Sequence, residues 1–270
     1  MRFFLVLLAA SGLQAQDAKQ IMQRALERDE RNLAILDTYM YERRTLQRTF
    51  EKNGAQKETK EKVHEVFHID GAEIERLIEK DGKPLSAKEQ SEEQKRVDKE
   101  VAKIREESPK QRAKRRGETE KDRREEIEAR REVLEAFDFE LIGTESIAGR
   151  VCWGIRGIPR ENFRGKGRRA DQMKKLKGTA WIDQQSYELT RLELDTHDTL
   201  SFGWFLLRLQ PGAKIRMEQT LVNGEVWLPK EIDVRADARV LGKMLRVGLE
   251  LCYSHFKKFS SDSKLVTAEP

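Results

Sequence analysis

The chain has 270 residues, and its 53 lysines and arginines slightly outnumber its 48 aspartates and glutamates, for a formal net charge of +5. Hydrophobic residues make up 37% of the chain, and after the first residues no stretch approaches the roughly 20 apolar residues that a membrane-spanning helix needs. The composition therefore excludes a transmembrane helix in the mature chain and leaves room for one large domain or two small ones.

The first residues have the pattern of a secretory signal. Arg2 precedes the apolar run Phe3–Ala10, and Ala15 offers a small residue for cleavage. We predict that residues 1–15 are removed and that residues 16–270 form the exported domain. The alternative is that this segment stays in the fold as a helix. For an exported protein, the positive charge favours anionic headgroups or an acidic envelope partner over nucleic acid.

The next segment is predicted to begin with a helix and continue as a β-meander. Ile21, Met22 and Leu26 recur at helical spacing, and from residue 38 the pattern changes to β-type runs. Three Asx-Gly dipeptides supply the positive-φ residues of tight hairpin turns. The predicted strands are Tyr39–Phe50, Val63–Ile69 and Glu73–Glu79, and the turns are Asn53-Gly54, Asp70-Gly71 and Asp81-Gly82.

A charged insertion, residues 86–136, interrupts the strands. Ser86 and Glu89 form a capping box, which is typical of a helix start. From residue 88 to 135 there are 16 basic and 15 acidic residues, so only narrow apolar stripes can pack on a neighbour. We predict two mostly solvated helices, with the basic run Lys110–Arg116 as the solvated turn between them; the alternative for this run is a binding patch.

From residue 137 onward the β pattern returns and continues almost to the end. Short runs joined by tight turns predict an antiparallel sheet, and a sheet of some ten strands is expected to curl. The predicted strands are 139–144, 149–155, 179–182, 187–194, 202–209, 213–222, 225–235 and 240–256.

One motif raises a catalytic alternative. His64-Glu65-Val66-Phe67-His68 matches H-E-x-x-H, which binds zinc when it lies on a helix. On a strand, the two histidines would stand about 13 Å apart, since each residue advances about 3.3 Å. We interpret the segment as a strand and predict no metal and no cofactor; His64 and His68 are metal ligands only in the alternative.

The aromatic and apolar residues of the later strands are candidates for a ligand pocket. A curled sheet with a large apolar face needs a cover, and the helices can leave either a solid core or a dry pocket. The sequence leaves both open, and it also leaves open a disulfide between Cys152 and Cys252. The candidate lining residues are Trp153, Trp181, Phe205, Leu207 and Met217.

The chain resembles the LolA/LolB-type superfamily of periplasmic lipoprotein carriers. The resemblance rests on the signal and early helix, on Phe139–Gly143 running into Ile147–Trp153, and on Gly178–Asp183 and Asn223–Pro229. It implies an α+β fold with a single curved antiparallel β-sheet, an incomplete barrel, covered by the N-terminal helix and the inserted helical pair. It also implies binding without catalysis, and the insertion departs from the pattern.

The resulting functional hypothesis is an exported, non-enzymatic protein that binds or carries a lipid or an acylated protein in the cell envelope, and that is periplasmic if the host has an outer membrane. Two alternatives stand beside it. One is a zinc metallopeptidase acting through His64 and His68. The other is an envelope scaffold that uses residues 86–136 as a partner surface.

Overall fold

The computed structural model describes residues 6–51, 53–165, 172–202, 207–240 and 242–258. These residues form three helices and one antiparallel sheet of 13 strands. The elements are α1 (Val6–Leu36), β1 (Tyr39–Phe50), β2 (Gln56–Ile69), β3 (Ala72–Lys80), β4 (Lys83–Pro84), α2 (Ala87–Arg105), α3 (Pro109–Ala136), β5 (Phe137–Ile147), β6 (Arg150–Pro159), β7 (Leu176–Asp183), β8 (Leu189–Thr196), β9 (Leu200–Phe202), β10 (Leu207–Leu209), β11 (Lys214–Val222), β12 (Val226–Val240) and β13 (Lys243–Lys258).

The sheet runs in the order β4-β3-β2-β1-β13-β12-β11-β8-β7-β6-β5. The first and last strands in this order do not pair with each other, so the sheet is an incomplete barrel, and the predicted α+β fold class is confirmed. None of the helices in the described part of the chain combines the length and apolar character needed to cross a bilayer.

Tight turns connect most of the hairpins. Asp70-Gly71 and Asp81-Gly82 both have positive φ at the two central residues, as the sequence predicts for type I′ turns. The Asn53-Gly54 turn differs, because only Gly54 has positive φ and the Glu51 amide donates to the Ala55 carbonyl across a longer turn.

The predicted strand 202–209 is wrong. β9 and β10 pair antiparallel with each other, with Phe202 opposite Leu207, so this segment is a hairpin. Continuous β-type composition hides a reversal when no Asx-Gly or Pro residue marks the turn.

The basic run Lys110–Arg116 is helical. Ser108 caps α3 through a capping box with Gln111, and Pro109 occupies the first turn. The helix therefore begins before the basic run, and the prediction of an inter-helix turn there is wrong. The capping box of Ser86 and Glu89 at the start of α2 is confirmed.

The two inserted helices pack on opposite faces of the sheet. We call the face against α1 the inner face. The cross-strand partners of Met217 on β12, β13 and β1 lie on this face and lead to Lys62 on β2, and alternation along β2 puts Val66 on the same face. Phe67, the next residue, points to the outer face, where it packs with Val97 and Ile104 of α2.

α3 then returns to the inner side. Near its start, Arg115 donates to the Asp70 carbonyl at the β2–β3 turn, over 3.0 Å. Its C-terminal part contacts α1 and β5. Only this part of α3 therefore joins α1 in covering the inner face.

Candidate functional site

An apolar cavity of about 380 Å³ lies between the inner face of the sheet and the two helices that cover it. Its lining side chains come from α1, α3, five strands and the segment before β7. They are Met22, Leu26, Asp29, Arg130, Val133, Phe137, Phe139, Ile155, Gly157, Met173, Leu176, Gly178, Ala180, Leu189, Leu192, Leu194 and Met217.

Strand alternation builds the floor of the cavity. On β7, every second residue from Leu176 through Gly178 to Ala180 points inward, and on β8 Leu192 and Leu194 do the same. Gly178 pairs with Leu194 and Ala180 pairs with Leu192, so the two strands form a continuous apolar surface.

Gly178 is required by a close approach of two strands. A Cβ at this position would lie 2.2 Å from the Glu193 carbonyl oxygen, so no side chain fits without moving β8. The glycine also leaves open space on the cavity floor.

The roof combines apolar helix residues with one ion pair. Met22 and Leu26 are one helical turn apart on α1, and both line the cavity. At the rim, Arg130 Nε of α3 donates to Asp29 Oδ2 of α1 over 2.7 Å, and each side chain is about one-fifth exposed. Burial opposes the charge of Arg130, but the Asp29 carboxylate outweighs it and raises the pKa of the guanidinium.

The predicted lining residues have different positions. Met217 lines the cavity. Trp153 lies in the same apolar cluster, where its ring is tilted against that of Tyr187 with 5.2 Å between ring centroids, but it is not part of the cavity lining. Phe205 lies outside the described residues, and so does the side chain of Leu207.

Trp181 lies away from the cavity, on the other face of its strand. It alternates with the inward-pointing Ala180 and Ile182, so its indole lies on the outer face, under the Arg191 guanidinium at 5.3 Å. Aromatic character alone does not identify the face that a strand residue occupies.

Most of the residues that line the cavity were not predicted from the sequence. Leu192 and Leu194 alternate with charged residues, and Phe137 alternates with Asp138 and then Phe139. This alternation is the signal that could have identified them, because on a half-buried sheet the apolar set faces the cover.

The apolar inner face extends beyond the cavity. Met217 pairs with Ile232, which pairs with Leu251. One row further on, Ile215, Val234 and Leu249 are also cross-strand neighbours on this face. All these side chains are half-buried, so a partly open apolar strip continues from the cavity across three strands. The members of this strip are Ile215, Ile232, Val234, Leu249 and Leu251.

A second, larger cleft has a different character. It has a volume of about 830 Å³ and lies between α3 and the β2–β3 turn. Seven of its ten lining residues are charged, including Asp37, Glu120 and Arg123. Such a lining retains water, and it does not suit an apolar ligand.

The H-E-x-x-H segment is part of strand β2, as interpreted from the sequence. His64 lies opposite Arg43 on β1, and Phe67 packs on the other face against α2. Burial, with the nearby Arg43, lowers the pKa of His64, although Glu75 opposes this. A strand cannot bring His64 and His68 to one ion as a helical turn does. Across the described ranges, no group of His, Cys, Asp and Glu has the arrangement of a metal site.

The disulfide that the sequence left open does not form. Cys152 and Cys252 are both free. Cys152 lies on β6 and Cys252 on β13, and four strands separate these in the sheet. The Cys152 thiol is buried, which raises its pKa, and it lies 3.4 Å from the Thr190 hydroxyl.

Neither a protein-family model nor a curated protein matches the chain. Several solved structures do match. A DUF1329 family protein from Desulfovibrio piger has a TM-score of 0.36 and 11% identity, over 91% of this chain and 95% of that chain. An outer membrane lipoprotein-sorting protein domain from Vibrio parahaemolyticus has a TM-score of 0.35 and 9% identity, over 90% and 95%. A LolA superfamily protein from Nitrosomonas europaea has a TM-score of 0.32 and 10% identity, over 90% and 94%. The LolA superfamily, which the sequence resembles, is thus among the matches.

Proposed function

We propose that this protein binds an acyl chain, from a lipid or a lipid-modified protein, in the cavity under α1 and α3, and that it does so in the cell envelope without catalysing a reaction. The observation that carries the proposal is the cavity itself. Fifteen of its 17 lining residues carry no charge, and all of these are apolar or glycine.

The size of the cavity supports a ligand of this class. Its volume of about 380 Å³ lies within the range of roughly 300–1,000 Å³ typical of small-molecule sites. Each methylene that enters it contributes about 0.8 kcal/mol, so a chain of several carbons is enough for useful affinity. The open strip from Ile215 to Leu251 offers further apolar surface for a longer chain.

The charged residues at the rim of the cavity are consistent with an amphipathic ligand. Asp29 and Arg130 are the charged members of the lining, and they lie together where the cavity meets solvent. A headgroup at this position would stay hydrated while the chain is buried. Location in the envelope is the part of the proposal that rests on the predicted signal at residues 1–15.

The test is to fill the cavity. Ala180→Phe places a ring on the inner face of β7, and Thr179→Phe, its matched control, places the same ring on the outer face of the same strand. Protein recovered after export is extracted with organic solvent, and the extract is analysed by mass spectrometry. We expect a lipid to accompany the wild type and the Thr179→Phe variant, and at least a tenfold lower amount to accompany Ala180→Phe.

Two results would overturn the proposal. One is a wild-type protein that yields no lipid and does not bind an added long-chain fatty acid. The other is stoichiometric zinc in the same sample that is lost on His64→Ala, which would favour the peptidase alternative.

A further inference from the structure

The end of the hairpin formed by β12 and β13 extends beyond β1 on one side, while β10 pairs with β12 on the other side. β1 ends at Phe50, which pairs with Arg246, whereas the hairpin continues to the pair Val240–Lys243. Residues 243–245 of β13 therefore have no partner on β1. At about 3.3 Å per residue, the tip of the hairpin extends about 10 Å beyond the end of β1.

Two large apolar side chains are exposed on this overhang. Met244 is 51% exposed and Leu245 is 40% exposed. Met244 lies opposite Arg239, and Leu245 lies opposite Ala238, so the two side chains point to opposite faces of the hairpin. Both side chains thus expose apolar surface to water at the free edge of β13, which is unfavourable unless something covers it.

The tip is also positively charged. Arg246 is paired with Asp237 over 2.8 Å. Arg239 and Lys243 are exposed, and neither has a carboxylate partner within the part of the chain that the structure describes. Two unpaired cations therefore lie beside the two exposed apolar side chains.

We propose that this hairpin tip docks the protein on an anionic phospholipid surface. Met244 and Leu245 enter the boundary between headgroups and acyl chains, and Arg239 and Lys243 contact the phosphates. The backbone groups of β13 that face β12 already pair across the hairpin, and those on its free edge stay hydrated at the level of the headgroups.

The charge and shape favour a bilayer over a second copy of the chain. Two copies that met at this tip would bring four unpaired cations together. Met244 and Leu245 lie on opposite faces of β13, so they do not form one flat patch for a protein partner, whereas a fluid lipid surface can contact both. The inference does not depend on the proposed ligand of the cavity.

Cosedimentation with vesicles tests the proposal. The vesicles contain phosphatidylcholine alone or an equimolar mixture with phosphatidylglycerol, and all proteins share the same N-terminus, so its contribution cancels. We expect binding to the mixed vesicles that weakens with added salt. Arg239→Gln with Lys243→Gln should reduce the affinity about 25-fold, since each cation near an anionic surface contributes about fivefold. Met244→Thr with Leu245→Thr should reduce it about tenfold or more.

Matched controls separate the tip from general surface effects. Val151→Thr replaces an apolar residue that is 55% exposed elsewhere on the sheet, and Lys99→Gln with Lys103→Gln removes two exposed cations from α2. These controls should bind the mixed vesicles as the wild type does. Circular dichroism and thermal melting verify that each variant folds.

The proposal is overturned if the wild type does not bind the mixed vesicles, if it binds neutral vesicles equally well, or if the tip variants bind unchanged. It is also overturned if lipid-free wild type forms a dimer that the tip variants lose, because the tip would then be a contact between copies of the chain.

Discussion

The Asp183 side chain is only 1% exposed, yet it is charged and fully paired. Arg150 donates to its carboxylate through Nε and Nη2, over 2.7 and 2.9 Å. The carboxylate also accepts the Gln185 and Ser186 amides at the β7–β8 turn. Burial opposes ionisation, but the Arg150 and Ser186 hydrogen bonds outweigh it and lower the pKa of Asp183 to about 2. One residue therefore ties the start of β6 to the end of β7.

Replacement of Asp183 by Asn should lower the free energy of unfolding by about 2–3 kcal/mol at pH 7. The folded pKa lies below the ordinary value of 3.8, so the carboxylate stabilises the fold above about pH 4 and loses this effect as the pH falls towards 2. The difference between variant and wild type should shrink by about half at pH 3. Urea denaturation at the two pH values measures it.

The matched control is Asp138→Asn. Asp138 also pairs with an arginine, Arg160, but it is 68% exposed. An exposed pair contributes little, so this control should change stability by less than about 1 kcal/mol. Equal effects of the two substitutions would contradict the role assigned to the buried pair.

At the scale of elements, α3 is held to the rest of the protein by few contacts. Most of its residues are charged and solvated, and Ala136 is the fully buried residue within it among those described. Two ion pairs connect it to α1: Arg130 with Asp29, and Arg131 with Glu30. The first is about four-fifths buried, whereas Arg131 is 69% exposed.

The buried pair of Arg130 and Asp29 should stabilise the packing of α3 on α1 more than the exposed pair of Arg131 and Glu30 does. Asp29→Asn leaves the partly buried Arg130 with Glu126 of its own helix as its remaining ion-pair partner among the described residues, and we expect a loss of about 1–2 kcal/mol of stability. Amide hydrogen exchange in residues 127–136 should become faster, because this segment then packs less firmly on α1. Glu30→Gln, the control, should cost less than about 0.5 kcal/mol and leave exchange unchanged. Indistinguishable exchange in the two variants would show that the rim pair does not hold α3.

At the scale of the whole molecule, the sheet is amphipathic. Its inner face is apolar from Phe137 on β5 to Leu251 on β13. Part of the outer face is charged, with Arg44 and Arg48 both bonded to Glu250 across β1 and β13. The helices cover the β5–β8 side of the inner face more completely than the β11–β13 side, where the side chains stay half-exposed. The fold thus combines a closed core with an open apolar surface.

A long-chain fatty acid should therefore stabilise the whole fold. At 100 times its dissociation constant, a ligand that binds only the folded state adds about 2.7 kcal/mol. For a chain of this length, that corresponds to an increase of about 5–10 °C in Tm. Differential scanning calorimetry with and without the fatty acid measures the shift, with acetate as the control for the carboxylate. A shift of equal size with acetate would show that the apolar chain is not what binds.

Local signals predicted much of the fold. The β1 strand, the Asp70-Gly71 and Asp81-Gly82 turns and the cap at Ser86 follow from interactions within a few residues. The reversal between β9 and β10 was missed because the single Gly203, with no Asx or Pro beside it, is a weak turn signal within an otherwise β-type run. Of the predicted lining side chains that the structure describes, Met217 is the one that lines the cavity.

What the sequence determined by itself was local: where helices and strands begin, where most turns reverse the chain, and that His64 and His68 lie on a strand. Only the tertiary structure decided which residues meet. Alternation puts Trp181 and Ala180 on opposite faces of β7, but it does not say which of the two side chains points towards α1. Nor does it say that α2 and α3 pack on opposite faces, because burial depends on contacts between segments that are distant along the chain. The cavity is a product of those contacts, since it exists only where α1 and α3 stand off from the sheet.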